Sequence, residues 1–143
     1  MAVRTADAEW TGTLTEGAGT MRLWGGAYEG AYSYTSRFEE GEGTNPEELI
    51  AAAHAGCFSM KFSGDLGKAG FTPEHISTTA RVHLTKGDEG FSITRIDLET
   101  RARVGGGIDE DRFRAIAEES KDACPVSRAL AAVPEITVTA ALE

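Results

Sequence analysis

Cysteine is scarce: Cys57 and Cys124 are the only two in 143 residues, too few for the disulfide framework of a small secreted protein. In a reducing compartment such a pair is free, metal-bound or redox-active. The plain alternative is two small buried hydrophobes. Basic charge is also short, since 14 Lys and Arg against 23 Asp and Glu leave a net charge of −9. A nucleic-acid binder needs the opposite balance to displace counterions, so no nucleic-acid partner is expected. No stretch approaches the ~20 apolar residues of a membrane span, and the opening MAVRTADAEW has no apolar signal-peptide region. The expectation is a cytoplasmic protein with no membrane contact. No CxxC or HxxxH pair anchors a tetrahedral metal site, so no metal is expected. The run Gly105-Gly106-Gly107 lacks both the Walker Lys-Ser/Thr and the Rossmann spacing, which leaves a turn.

What the chain does have is TNPEELIAAAHAGCFSM, Thr44 to Met60. Asn45 suits an N-cap, Pro46 the first helical position, and Glu48 completes an Asn-x-x-Glu capping box. Glu47 and Glu48 fall in the first turn, where the helix dipole favours negative charge. From Leu49 to Phe58 only His54 is polar, the pattern of a helix buried nearly all round. The helix is expected to run to Ala69 and stop at Gly70.

Before it, Ala8–Leu14, Thr20–Trp24 and Ala31–Phe38 read as short strands separated by glycine-bearing turns. In the third, Tyr32, Tyr34, Ser36 and Phe38 share one face, so Arg37 points away from the aromatic face. After Gly70, Ile76 to Leu84 alternates apolar and polar residues. Lys86 to Gly90 forms a hairpin loop, and Phe91 to Val104 returns with a slip in alternation between Ile93 and Ile96 that predicts a bulge. Asp109 caps a helix over Glu110 to Asp122 with Phe113, Ile116 and Ala117 facing inward. Pro125 disfavours helical geometry at Cys124 and can open a new turn, so Cys124 is a candidate N-cap of a short helix through Leu130. Ile136 to Leu142 reads as a closing strand. With no repeat or linker, the order is βββ-α-ββ-α-β: one α+β domain over residues 1–143, an antiparallel sheet packed on a long central helix.

The thiolate is the reactive form of cysteine, and a free thiol has a pKa of ~8.5. Cys57 in mid-helix gains little from a dipole that acts at the terminal turns, so a reactive Cys57 needs a cation from elsewhere. His54 lies one turn back, Lys61 one turn ahead, and Arg37 is the best suited, because its guanidinium stays charged and can hold thiolate and carboxylate together. Glu47 cannot reach Cys57 directly. Ten residues at 1.5 Å each place it ~15 Å away along the axis, so it acts through Arg37 or from a second subunit. Cys124 at a helix start has a lowered pKa on its own account, which suits a leaving or resolving thiol. A bridge between the two requires Cα atoms about 4.4–6.8 Å apart, which spacing alone does not establish.

The two cysteine motifs, TNPEELIAAAHAGCFSM and ACPVSRAL, preceded by SRFEEGEG, resemble the OsmC/Ohr family of thiol-dependent organic hydroperoxide reductases, the OsmC branch in particular. The likeness extends over nearly the whole chain, including the GAGT turn and GFTPEHI. It implies an OsmC-like fold and an intertwined homodimer with active sites at the subunit interface. It implies Cys57 as the peroxidatic cysteine, oxidised to a sulfenic acid, and Cys124 as the resolving cysteine that closes an intramolecular disulfide. It further implies Arg37 as the residue stabilising thiolate and peroxide, and Glu47 as the residue orienting Arg37. No bound cofactor is implied; an external dithiol, notably a lipoyl group on a protein, is the reductant. The resemblance also implies organic hydroperoxides as preferred substrates, with hydrogen peroxide reduced more weakly, in defence against oxidative and osmotic stress. Leu49, Ile50, Phe58 and Phe62 are candidate walls of the apolar mouth, although core packing demands similar residues.

Three other readings stand beside this one. A Cys-His hydrolase or transferase would use His54 to activate Cys57, which the i, i+3 spacing permits, but no orienting third group or oxyanion loop is evident. A metal module would draw on both cysteines with His54 or His83. A non-catalytic thiol redox sensor or structural protein would leave both sulfurs as core filler.

Overall fold

All residues from Met1 to Glu143 are described by the computed structural model, in which the chain divides into two units, Met1–Leu49 and Ile50–Glu143. The first carries β1 (Ala6–Thr11), β2 (Ala18–Leu23) and β3 (Glu29–Tyr32), an antiparallel sheet in that order. Gly19 pairs with Trp10 on one side and Tyr32 on the other. A Cβ there would lie 2.5 Å from the Tyr32 ring, so glycine is what lets the two rings pack at 5.3 Å. The residues this unit buries are Ser36, Thr44 and Glu47, all polar. It has no fully buried apolar core of its own.

The expected strand Ala31–Phe38 is overturned in its second half. After β3 the chain turns into a short helix, α1 (Tyr34–Phe38). Ser33 accepts from the Ser36 N–H at 3.2 Å, and Ser36 Oγ accepts from the Ser33 N–H at 2.8 Å, a reciprocal cap that offsets the strand preference of Tyr34 and Thr35. Tyr34 and Phe38 then meet one turn apart, with centroids 5.0 Å apart. Tyr32, Tyr34, Ser36 and Phe38 therefore do not share a face. Ser36 is buried and donates to the Thr44 carbonyl at 2.7 Å. Arg37 does not point away from the aromatics either; its guanidinium lies 5.2 Å from the Phe38 ring centroid.

The central helix α2 covers Pro46–Lys68, and Gly70 stops it at φ +93°, as its sequence predicts. Asn45 Oδ1 caps the Glu48 N–H at 2.8 Å, but the Glu48 carboxylate takes the Thr44 hydroxyl at 2.9 Å, so the expected capping box is half made. Burial on all sides is also overturned. Within this chain one stripe is buried, His54, Phe58, Phe62 and Leu66, while Ala52, Ala53, Gly56, Met60, Gly64 and Gly67 are exposed.

In the second unit β4 (Thr72–Gly87) and β5 (Gly90–Gly105) form a long antiparallel hairpin. His83 faces Arg95 and Leu84 faces Ile93, which leaves Thr94 as the extra residue where the alternation slipped. β5 leads through α3 (Glu110–Ala123) and α4 (Pro125–Ala129) to β6 (Glu135–Leu142). β6 pairs with β5 in parallel, so the wholly antiparallel expectation fails for this strand. The intervening helices supply the crossover that parallel pairing requires. The core joins Phe58, Phe62 and Leu66 of α2, Ile96, Leu98 and Ala102 of β5, and Phe113, Ile116 and Ala117 of α3. Phe62 links the helices, 5.4 Å from Phe58 and 5.1 Å from Phe113 between ring centroids.

On the sheet, Asp97 accepts from Thr137 Oγ1 and Arg95 Nε, each at 2.7 Å, and pairs with His83 Nε2 at 2.9 Å. The Thr137 hydrogen bond first, then His83 and Arg95, lower its pKa to about 2 from 3.8. A carboxylate held below its unfolded value contributes stability above pH 3.8 and loses it as pH falls towards about 2. Asp97→Asn is therefore expected to unfold at lower urea than wild type at neutral pH, with the gap closing between about pH 4 and pH 2. A gap independent of pH contradicts the assignment.

Candidate active site

Two features place the sulfurs. Cys57 stands midway along α2, beside Phe58, whose burial fixes that face of the helix against the core. Cys124 lies between α3 and α4 in extended geometry (φ −60°, ψ 125°), because Pro125 disfavours the helical conformation at the residue before it. Its N–H still donates to the Ser120 carbonyl at 2.9 Å, and its carbonyl accepts from the Arg128 N–H at 3.0 Å, so both helices hold it. Asp65 clamps the two elements together, accepting from Lys61 at 2.6 Å and from the Ser120 hydroxyl of α3 at 2.8 Å.

The outcome is a pair of free thiols with sulfurs 3.0 Å apart, Cys57 half-buried and Cys124 fully buried. Bridging needs an approach of about 1 Å, to the ~2.05 Å of a disulfide. Burial, and then the Cys124 thiol beside it, push the Cys57 pKa up. Burial also acts to raise Cys124, but is outweighed by the Cys57 thiol in contact with it and by the polar groups of Ser127 and Val126 at the start of α4, and the net direction is down. Cys124 forms no ordinary side-chain cap on α4; what favours its thiolate is this surrounding set of groups. The influences on Cys57 include no cation, in keeping with the mid-helix argument. Lys61, the near cation on its own helix, is taken by Asp65.

Arg37 and Glu47 meet in the first unit. Arg37 Nη2 donates to Glu47 Oε1 at 2.8 Å, and Nε lies 3.3 Å from both carboxylate oxygens. The Glu47 side chain is 10% exposed and that of Arg37 36%. A cleft of about 240 Å³ opens beside Arg37, lined by Trp10, Leu14, Tyr32, Tyr34 and Phe38. Nothing in strand-like spacing revealed it, because it depends on α1. Of the four apolar residues expected at a substrate mouth, Leu49 and Ile50 are half-buried, and Leu49 edges a separate cleft with Met21 and Leu23. Phe58 and Phe62 are fully buried in the core and closed off from any ligand as they stand. Large aromatics on the inward stripe of α2 went to packing.

His54 does not serve Cys57. Its Nε2 lies 2.6 Å from Ser127 Oγ, and its Nδ1 is buried without a partner. Ser127, within the motif CPVS, was missed as a site residue; its position three residues after Cys124 was the available signal. No group of three His, Cys, Asp or Glu side chains converges as a metal site, and no helix is long and apolar enough to cross a membrane.

The first unit thus holds a bidentate, mostly buried carboxylate–arginine pair, and the second holds two free thiols in contact. A family profile described as OsmC-like protein matches residues 39–139. The chain is 49% identical over 132 residues to the peroxiredoxin OsmC of Escherichia coli (strain K12), covering 92% of this chain and 90% of that one. It is 32% identical over 103 residues to the organic hydroperoxide resistance protein of Xanthomonas axonopodis pv. citri (strain 306), covering 71% and 69%. The same fold occurs in an organic hydroperoxide resistance protein from Elizabethkingia anophelis, at a TM-score of 0.75, 22% identity and 99% coverage of both chains. The chain belongs to the OsmC-like family.

Removing the charge of Glu47 leaves the Arg37 guanidinium partly buried without its counterion. Glu47→Gln is expected to cost about 1.5–3 kcal/mol of stability in urea unfolding, the range for hydrogen bonds to charged groups. A loss below ~0.5 kcal/mol would place the pair among the solvent-screened ion pairs that contribute little.

Proposed function

We propose that the protein is a thiol-dependent peroxidase that reduces organic hydroperoxides, and hydrogen peroxide more weakly, to alcohols in oxidative and osmotic stress defence. The observation that carries this reading is the 3.0 Å approach of a half-buried and a buried sulfur, both unbridged. In the proposed cycle the Cys57 thiolate attacks the distal oxygen of ROOH. The O–O bond breaks, Cys57 becomes a sulfenic acid, and RO⁻ leaves as the alcohol after protonation. The Cys124 thiolate then attacks the sulfenic sulfur, hydroxide leaves as water, and the Cys57–Cys124 disulfide forms. An external dithiol, such as a lipoyl group on a protein, returns two electrons; no bound cofactor takes part.

Arg37, positioned by Glu47, supplies the positive charge that Cys57 lacks and polarises the peroxide. The aromatic cleft beside Arg37 fits the organic group of the substrate better than Phe58 or Phe62 does. The working form in this reading is a homodimer. Support comes from a first unit that buries no apolar residue fully yet exposes Leu14, Leu23 and Trp24, and from the exposed small face of α2 around Met60. The Cys-His alternative is disfavoured, since His54 is turned to Ser127 and sealed from solvent.

Cumene hydroperoxide consumption with dithiothreitol as reductant tests the cycle. Cys57→Ser is expected to abolish steady-state turnover, whereas Cys124→Ser performs one fast turnover and then accumulates Cys57 sulfinic acid, read by mass spectrometry. Steady-state activity retained in Cys57→Ser contradicts the proposal.

A further inference from the structure

His54 is a fully buried imidazole with one nitrogen committed and one orphaned. Burial lowers its pKa, so it is neutral at pH 7. A neutral ring carries one proton. On Nδ1 that proton would be a buried donor with no acceptor, which carries the full desolvation penalty of an N–H. On Nε2 it donates to Ser127 Oγ at 2.6 Å and leaves Nδ1 as a bare lone pair, the lesser penalty. The hydrogen-bond network thus assigns the Nε2–H tautomer. Ser127 Oγ then accepts from His54, and its own proton is directed away from the ring. The hydroxyl sits at the third residue of α4, three residues on from Cys124 at the cap, the spacing that brings the two side chains together across the first turn, and it favours the Cys124 thiolate.

That directionality matters for one step of the cycle. A disulfide between the two cysteines presents Cys57 on the accessible side and Cys124 on the buried side. An incoming thiolate therefore attacks Cys57 Sγ, and the electron pair of the broken S–S bond goes to Cys124 Sγ. Exchange speeds up as the leaving thiolate is better stabilised. We propose that His54, acting through the Ser127 hydroxyl, is a positioning residue of the reductive half-reaction: it orients the Ser127 O–H to hold Cys124 as the leaving thiolate when a dithiol attacks Cys57. The attack forms a mixed disulfide between the dithiol and Cys57. The second thiol of the reductant closes its own ring and releases Cys57, so the dithiol loses two electrons and two protons and both cysteines regain their reduced form. The proposal rests on the peroxidase reading only in naming the cycle; the exchange step stands without peroxide.

The test therefore leaves peroxide out. The disulfide is formed with diamide, and its reduction by dithiothreitol is followed by stopped-flow at fixed pH. Ser127→Ala and His54→Phe are each expected to slow reduction about tenfold, the loss of one hydrogen bond to a charged group. The double variant is expected to be no slower than Ser127→Ala alone, because both act through one hydroxyl. Ser127→Thr, which keeps a hydroxyl, and His54→Gln, whose amide N–H can take the place of Nε2–H, are expected to recover most of the rate. In a Cys57→Ala background, Ser127→Ala should also raise the Cys124 pKa read by thiolate absorbance. Should His54→Phe fail to fold, His54→Asn, whose shorter amide falls short of the Ser127 hydroxyl, takes its place, and a rate equal to wild type in it overturns the proposal. Unchanged reduction in Ser127→Ala, or a double variant that is additively slower, overturns the relay. Failure of the peroxidase reading would appear instead as absent turnover of cumene hydroperoxide with exchange intact.

Discussion

The structure depends on holding two sulfurs in contact from opposite sides of a helix packing interface. Cys57 is fixed because Phe58 and Phe62 anchor its helix in the core, and Cys124 because Pro125 forces a break between α3 and α4. The aromatic stack from Phe58 through Phe62 to Phe113 and the Lys61–Asp65–Ser120 clamp set the distance between the two elements. Side chains packed at crystal-like density transmit small changes, so a shift at any of these residues is felt at the sulfurs.

The pair is asymmetric in both exposure and electrostatics. Cys124 has donors around it and is sealed, while Cys57 is more open and, among its own surroundings, disfavoured as a thiolate. Such an arrangement divides labour in the proposed cycle. The open sulfur meets peroxide and reductant in turn, and the sealed one serves as nucleophile and leaving group within the protein. It also explains why the proposed chemistry calls on an arginine outside the thiol pair, one already pre-oriented by a mostly buried carboxylate.

Local rules carried much of this. Asn45-Pro46 and Gly70 mark both ends of α2, Asp109 marks the start of α3, the slip between Ile93 and Ile96 marks the bulge, and Pro125 marks the Cys124 cap. Each is a matter of neighbours within a few residues. The failures were tertiary or competitive. α1 hides in a stretch of aromatic and β-branched residues, because its signal is a hydroxyl–hydroxyl cap at Ser33 and Ser36 rather than the usual Ser-x-x-Glu. The parallel pairing of β6 is decided by where the α3–α4 crossover delivers the chain, which no local pattern encodes. The role of Phe58 and Phe62 turned on which stripe of α2 faces the core, and a helix of alanines and glycines outside that stripe gives little amphipathic contrast. Ser127 was invisible for a simpler reason: its significance lies in His54, 73 residues earlier in sequence.

In the proposed cycle these two sulfurs are one redox centre. The most direct measurement of this is a peptide map of the reduced protein after one equivalent of cumene hydroperoxide. The predicted result is stoichiometric loss of both free thiols with a single intramolecular Cys57–Cys124 linkage. Two intact thiols, or a linkage found only between chains, would contradict it.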